Sequence, residues 1–145
     1  MINIKQELEV AKKASEIAAA LLIDNKDNIN KILSNEGRDV KLKADLESEK
    51  VIKEYLLANS NFPILAEESG ANQDLGNSFW VVDPLDGTSN YSRDFPMCCI
   101  SIALIYEKEI TLGVINDFNR GSLYEGSTDS KAKLNGEDIS VSLIH

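Results

Sequence analysis

The chain has 145 residues, 43% of them apolar, which is enough to bury the core of one domain. Its net charge of −9 argues against nucleic acid or an anionic membrane as a partner, because both would require basic patches. The charge does not exclude a phosphorylated substrate, since a bound cation can reverse the sign locally.

Segments and residue types that the sequence lacks limit the cellular locations and the catalytic groups to be expected. The longest apolar stretch, 97–106, is too short to cross a bilayer, and the first residues lack the basic-then-apolar form of a secretion signal. The two cysteines, Cys98 and Cys99, are adjacent in that stretch and are typical of buried thiols. A cytoplasmic location is therefore expected. The single histidine is His145, which disfavours a histidine base, a histidine-rich zinc site and a Ser-His-Asp triad.

The first half of the chain predicts helices. An apolar stripe at helical spacing predicts a helix over 4–22, with Asn3 as its N-cap. The polar segment that follows predicts a loop containing a short helix around 29–33. A second long helix is predicted over 46–58, with Asp45 where an N-cap would lie.

The second half of the chain predicts strands separated by tight turns. Apolar runs and turn signals predict strands over 62–66, 79–82, 98–106, 110–118, 123–125 and 139–141. Pro84 cannot donate to a strand ladder, so the strand over 79–82 is expected to end there. Two helices followed by antiparallel strands predict an α+β fold, in which the helices pack on a largely antiparallel sheet.

The most informative segment is Asp83-Pro84-Leu85-Asp86-Gly87-Thr88, which follows a buried apolar strand. It places two carboxylates beside a glycine turn and a hydroxyl, an arrangement suited to a hard cation and a phosphate. The spacing does not match a calcium EF-hand loop, because Pro84 is second and Gly87 is fifth. It does not match an aspartyl-phosphate phosphatase of the haloacid dehalogenase type, since two residues separate the aspartates. A metal-assisted phosphatase remains.

A second pair of carboxylates, Glu67 and Glu68, follows the predicted strand over 62–66. If that strand pairs with the strand before Asp83, then Glu67, Asp83 and Asp86 meet at one edge of the sheet. With no histidine or ligating cysteine nearby, such a site is all-oxygen, which favours Mg²⁺, or Mn²⁺ as a substitute.

These motifs resemble the inositol monophosphatase family, within the lithium-sensitive phosphomonoesterase superfamily. Residues 66–69 are similar to its Glu-Glu-Ser element, and residues 80–88 are similar to its signature segment. The residues 89–91 that follow are similar to the monophosphatase branch. Residues 134–136 resemble the Asn-Gly hairpin that closes the family's first domain. The resemblance implies the first half of the layered sugar-phosphatase fold and hydrolysis of a small-molecule phosphomonoester such as inositol monophosphate.

The resemblance also implies a set of magnesium ligands. Glu67, Asp83 and the Leu85 carbonyl would hold a first Mg²⁺, and Asp83 and Asp86 would contribute to a second. Glu68 would support these ligands from behind.

The remaining roles implied by the resemblance concern water and phosphate. Thr88 and Glu67 would orient the attacking water, and Asp45 would accept a hydrogen bond from the threonine hydroxyl. The backbone N–H groups of Gly87 and Thr88 would hold the phosphate.

Two departures from the family pattern are visible. The family usually carries Val-Thr shortly before its helix-capping aspartate, where this chain has Lys41-Leu42-Lys43-Ala44-Asp45. The family's later Trp-Asp motif has no counterpart, because the only tryptophan is Trp80 and the chain ends at His145. Residues 1–145 are therefore expected to be a truncated N-terminal metal-binding domain that lacks a C-terminal α/β domain.

Several alternatives stay open at this point. The chain is expected to act with a complementing C-terminal half or as a homodimer. It could instead be a non-catalytic remnant or an interaction module. A relative of 3'(2'),5'-bisphosphate nucleotidases or of fructose-1,6-bisphosphatases is a further alternative.

Overall fold

The first helix of the computed structural model, α1 (Ile4–Asp24), agrees with the predicted one. The structure describes residues 1–30, 32–36 and 39–144, with side chains for residues 1–30 and 42–144. The Asn3 side chain accepts a hydrogen bond from the Gln6 N–H at 3.0 Å, which satisfies one free donor of the first turn. The buried stripe of α1 includes Ala11, Ala14, Ala18 and Leu22, whose spacing matches one face of a helix.

The segment after α1 differs from the prediction. The short helix, α2 (Lys26–Ile29), lies earlier than the predicted span of 29–33. It is followed by two antiparallel strands, β1 (Ile32–Glu36) and β2 (Asp39–Leu42). The predicted helix over 29–33 is therefore wrong, because residues 32–36 satisfy their backbone groups by pairing with a neighbouring strand.

The second long helix, α3 (Lys43–Asn59), begins three residues before the predicted start. Leu42 precedes the helix, and Asp45 is its third residue rather than its N-cap. The Asp45 carboxylate reaches back and accepts a hydrogen bond from the Leu42 N–H at 2.9 Å. A carboxylate in the first turn also compensates the free N–H groups there.

The remaining chain forms one eight-stranded sheet and a short helix. The strands are β3 (Ile64–Ala66), β4 (Gly70–Ala71), β5 (Phe79–Asp86), β6 (Cys99–Tyr106), β7 (Glu109–Asp117), β8 (Ser122–Ser127), β9 (Ser130–Leu134) and β10 (Glu137–Asp138). The helix α4 (Thr88–Ser92) follows β5 directly. The strand order is β10-β9-β8-β7-β6-β5-β3-β4, and each pair is antiparallel except β3 with β5.

Two strand predictions need correction, and the strand β9 has no predicted counterpart. The strand β5 does not end at Pro84 but continues to Asp86, because its register with β6 shifts between Asp83 and Asp86 and Pro84 lies within the irregularity. A proline is tolerated at such a bulge, since no ladder N–H is required there. The predicted strand over 139–141 is wrong, because β10 ends at Asp138. The strand β9 was not predicted, since its Ser-Lys-Ala-Lys-Leu sequence carries little apolar alternation.

The core lies between the two long helices and one face of the sheet. On β6, Ile100, Ile102 and Leu104 are fully buried toward the helices, while the residues between them are half-buried on the other face. Trp80 is also fully buried, and its indole N–H donates to the Ser60 hydroxyl at 3.0 Å. Helices on one face of a mostly antiparallel sheet confirm the predicted α+β fold.

The opposite face of the sheet is partly open. Ile115 and Tyr124 are exposed on it, beside a groove of about 440 Å³ that Ile139 also lines. Among the helices that the structure describes, none has the length and hydrophobicity needed to cross a membrane.

Candidate active site

The position of the site follows from the one parallel pairing in the sheet. Strands β3 and β5 run side by side, with Ala66 opposite Val82, so the chain leaves both strands at the same edge. The Glu67 N–H donates to the Val82 carbonyl at 3.2 Å and extends the ladder by one bond. Glu67 and Asp83 are therefore neighbours across the two strands, as the strand pairing considered for the sequence requires.

The carboxyl groups of Glu67 and Asp83 interact directly. Loss of solvent around Glu67, a hydrogen bond with Asp83 and the negative charges of Asp83, Glu68 and Asp45 raise the pKa of Glu67 from 4.5 to about 8. Although much of the Glu67 residue is exposed, its carboxyl end is therefore held beside another acid. Two acids held in contact favour a bound cation, because the cation compensates their like charges.

The bulge after Asp83 is fixed by hydrogen bonds from three directions. The Ser48 hydroxyl of α3 donates to the Pro84 carbonyl at 2.7 Å. The Leu85 N–H donates to the Asp83 carboxylate at 3.3 Å, and the Leu85 carbonyl accepts from the Thr88 hydroxyl at 3.1 Å. Asp86 lies beyond the bulge, exposed and opposite Cys99 of β6.

Thr88 and Asp45 form a second contact. The Thr88 hydroxyl donates to the Asp45 carboxylate at 2.7 Å, as the family resemblance implies. Asp45 is only 2% exposed. Burial raises the pKa of Asp45 from 3.8 to about 6, although its hydrogen bonds from Thr88 and Leu42 favour the charged form.

Gly87 occupies a position that no other residue fits without strain. Its φ of +88° lies in the left-handed region, and a Cβ atom there would be 2.6 Å from the Met97 carbonyl oxygen. The missing Cβ lets the chain turn from β5 into α4 close to the backbone of Met97 and Cys98. Thr88 then begins α4, where the Tyr91 N–H donates to the Gly87 carbonyl at 3.0 Å.

Sequence reasoning missed two residues of α3 that support the site. Ser48 holds the Pro84 carbonyl, and the buried Glu49 carboxylate accepts from the Glu68 N–H at 2.8 Å. Both lie three and four residues after Asp45 and share its face of the helix. That spacing is a signal which could have identified them, because polar side chains continue the line of the apolar positions Ile52 and Leu56.

The structure brings some of the predicted metal ligands together and separates others. Glu67 and Asp83 are in contact, whereas Asp86 lies past the bulge. Across residues 1–30 and 42–144, no three His, Cys, Asp or Glu side chains are grouped closely enough to enclose a metal ion by themselves. The close acid pair and the backbone carbonyls of the bulge nevertheless fit a hard, oxygen-preferring cation, because carboxylate and carbonyl oxygens are the ligands that such a cation takes.

A cavity of about 360 Å³ adjoins this edge of the sheet. Its lining includes Asp86, Gly87, Cys99, Asp117 and Arg120. Its size is comparable with that of a small-molecule site.

Residues 3–144 match the model of the inositol monophosphatase family. A protein of Synechocystis sp. named inositol-1-monophosphatase is 35% identical over 144 residues, covering 97% of this chain and 50% of the relative. One of Aquifex aeolicus, named fructose-1,6-bisphosphatase/inositol-1-monophosphatase, is 34% identical over 146 residues, covering 97% of this chain and 54% of the relative. The chain spans about half the length of the curated relatives it matches.

Solved structures show the same architecture. The extragenic suppressor protein SuhB of Bartonella henselae matches with a TM-score of 0.85 at 28% identity, over 94% of this chain and 54% of that one. An IMPase/NADP phosphatase complexed with Mg²⁺ and phosphate matches with a TM-score of 0.82 at 21% identity, over 93% of this chain and 52% of that one. The second match shows a likeness of fold alone.

Replacing Ser48 by Ala is expected to reduce the free energy of unfolding by about 1–3 kcal/mol, because the buried Pro84 carbonyl would lose its partner. Urea denaturation measures the change. The exposed Ser140→Ala is the matched control, with an expected change below about 0.5 kcal/mol. Equal effects of the two substitutions would contradict this role of Ser48.

Replacing Gly87 by Ala is expected to destabilise the fold more than Gly121→Ala does. Both glycines have a positive φ, so both variants carry a backbone cost of about 1–2 kcal/mol. Only at Gly87 would the new Cβ also meet the Met97 carbonyl, since nothing lies within 4 Å of the Gly121 position. Thermal melts that rank the two variants equally would show that the close approach has no energetic weight.

Replacing Glu67 by Gln is expected to stabilise the metal-free chain increasingly as the pH rises from 4.5 to about 8. Folding raises the pKa of this acid, so its ionisation costs folding free energy across that window, and the wild-type chain loses stability as the pH rises. Denaturation with a chelator at both ends of the window measures the difference. The exposed Glu54→Gln is the control, and a pH-independent difference for Glu67→Gln would contradict the expectation.

Proposed function

Because the chain belongs to the inositol monophosphatase family, we propose that it provides the metal-binding domain of a Mg²⁺-dependent phosphatase. Its substrate is a small phosphomonoester such as inositol monophosphate. The observation that carries the proposal is the contact between the Glu67 and Asp83 carboxyl groups at the sheet edge, beside the Thr88 hydroxyl. The remaining half of the enzyme would supply further contacts, since the relatives are about twice as long.

In this proposal a first cation is held by Glu67, Asp83 and the Leu85 carbonyl, and Asp83 and Asp86 contribute to a second. When bound, Mg²⁺ supplies the positive charge that neutralises phosphate oxygens and lowers the pKa of a bound water. The pair of acids supports the assignment, because their like charges in contact favour an oxygen-binding cation. Magnesium and phosphate in the solved structure of similar fold are consistent with it.

Thr88 and Glu67 would orient the attacking water. The Thr88 hydroxyl directs its single proton at two acceptors, Asp45 at 2.7 Å and the Leu85 carbonyl at 3.1 Å, so its oxygen lone pairs can accept a hydrogen bond from water. Glu67 would accept the other proton of that water, which directs an oxygen lone pair at phosphorus. Asp45 acts on the reaction through Thr88 and does not need to touch the substrate.

The phosphate itself would be held at the turn between β5 and α4. Gly87 brings the backbone N–H groups of residues 87 and 88 to the same edge as the acids, since its positive φ permits the turn. Glu68 would influence the site without binding the cation. Its backbone N–H is fixed by the Glu49 carboxylate, and its negative charge raises the pKa of Glu67.

Replacing Thr88 by Val is expected to lower phosphate release on the order of 100-fold, because the water would lose one of the groups that orient it. Thr88→Ser retains the hydroxyl and should keep most of the activity. The assay follows inorganic phosphate released from inositol 1-phosphate with Mg²⁺. It uses this chain alone and this chain fused to the second half of the Synechocystis relative.

The same assay can also contradict the proposal. If neither protein releases phosphate in a Mg²⁺-dependent way, the phosphatase assignment is wrong. If Thr88→Val and Thr88→Ser lose activity equally, the role given to the hydroxyl is wrong while the assignment stands.

A further inference from the structure

The lining of the cavity beside the site includes the charged residues Asp86, Asp117 and Arg120. Asp86 and Gly87 line it next to the bulge, and Arg120 lines it beside Asp117, which ends β7. Among the described residues that line this cavity, Arg120 is the only basic one. The net charge of the chain is −9, so the position of this arginine side chain in the cavity suggests a specific role.

Sheet register gives the separation of the strands that carry the acidic residues lining the cavity. Asp86 is opposite Cys99 on β6, and Ile100 is opposite Asn116 on β7, so Asp117 lies two strands away from Asp86. Adjacent strands are separated by about 4.8 Å, which places these two backbones about 10 Å apart. A phosphate ester of sugar size can span that separation.

Asp117 fixes the position of Arg120 but occupies only part of its hydrogen-bonding capacity. Its guanidinium donates to the Asp117 carboxylate at 2.8 Å, and its backbone N–H donates to the Asp117 carbonyl at 3.1 Å. The side chain is still 56% exposed. Because a guanidinium carries five donors in a planar fork, the contact with Asp117 fixes its direction and leaves other donors for a ligand.

Asp117 positions Arg120 and does not itself bind the substrate. Its side chain is 16% exposed, and its other carboxylate oxygen is buried with no hydrogen-bond partner. A carboxylate in this setting depends on its one cationic partner. The pair therefore presents the more exposed guanidinium to the cavity, with the less exposed Asp117 carboxylate beside it fixing its direction.

We propose that Arg120 is a specificity-determining residue, which binds an anionic group on the part of the ester that does not react. The preferred substrate would then carry two anionic groups, such as the two phosphates of a sugar bisphosphate. This inference rests on the proposed function, since it places the reacting phosphate at Gly87 and Thr88. The second anion lies across the cavity, at the guanidinium.

Calorimetric binding to the whole chain tests the inference, with Ca²⁺ replacing Mg²⁺ to slow hydrolysis. The ligands are fructose 1,6-bisphosphate, fructose 1-phosphate and fructose 6-phosphate, which differ only in their phosphates. The wild-type chain should bind the bisphosphate at least about 10-fold more tightly than either monophosphate, because a charge-assisted fork adds to binding. Arg120→Gln should abolish most of that preference, and Arg120→Lys should retain part of it.

Two controls separate recognition from folding and from net charge. Arg93→Gln removes the same charge from an exposed residue that does not line the cavity and should leave the preference intact. Arg120→Gln combined with Asp117→Asn removes the unpaired buried charge, so the double variant should regain thermal stability but not the preference.

Each contrary result has its own meaning. Equal affinity of the wild-type chain for all three esters overturns the inference, as does equal weakening of all three by Arg120→Gln. If no monophosphate binds the wild-type chain in the presence of the cation, the proposed function fails and the inference fails with it.

Discussion

The arrangement of this molecule depends on one parallel strand pair in a sheet that is otherwise antiparallel. Since β3 and β5 run in the same direction, both deliver the residue after the strand to the same edge. An antiparallel pairing would have sent Glu67 and Asp83 to opposite ends. Bringing two acids into contact costs free energy, as the raised pKa of Glu67 shows, so the fold must hold them there by other means.

Helix α3 supplies those means. The first part of its inner face is polar, with Asp45, Ser48 and Glu49 contacting Thr88, the Pro84 carbonyl and the Glu68 N–H. The second part is apolar and packs in the core. One helix therefore anchors both acid-bearing segments through hydrogen bonds and joins them to the same hydrophobic core, which positions side chains more accurately than loops alone would.

Local sequence was sufficient to identify the Asp83–Thr88 segment, because the turn residue, the acids and the preceding strand are all contiguous. The start of α3 was predicted wrongly, since it depends on where β2 ends and not on Asp45 alone. The exposed β9 lacks an apolar pattern that could have revealed it. The strand β5 was expected to end at Pro84, but the bulge there allows it to continue. Arg120 could not have been assigned to the cavity from sequence, because only the order and register of β5, β6 and β7 bring it near Asp86.

The hydrogen bond from Ser48 to the Pro84 carbonyl has a consequence for how this fold can be recombined. It joins positions 36 residues apart in the chain, and the bond from Thr88 to Asp45 joins positions 43 apart. A chimaera whose exchanged helix lacked Ser48 and Asp45 would leave the Pro84 carbonyl without its donor and the Thr88 hydroxyl without its buried acceptor, even if every apolar contact were preserved. We therefore expect helix α3 and the turn between β5 and α4 to be exchangeable with those of a homologue only when both are exchanged together.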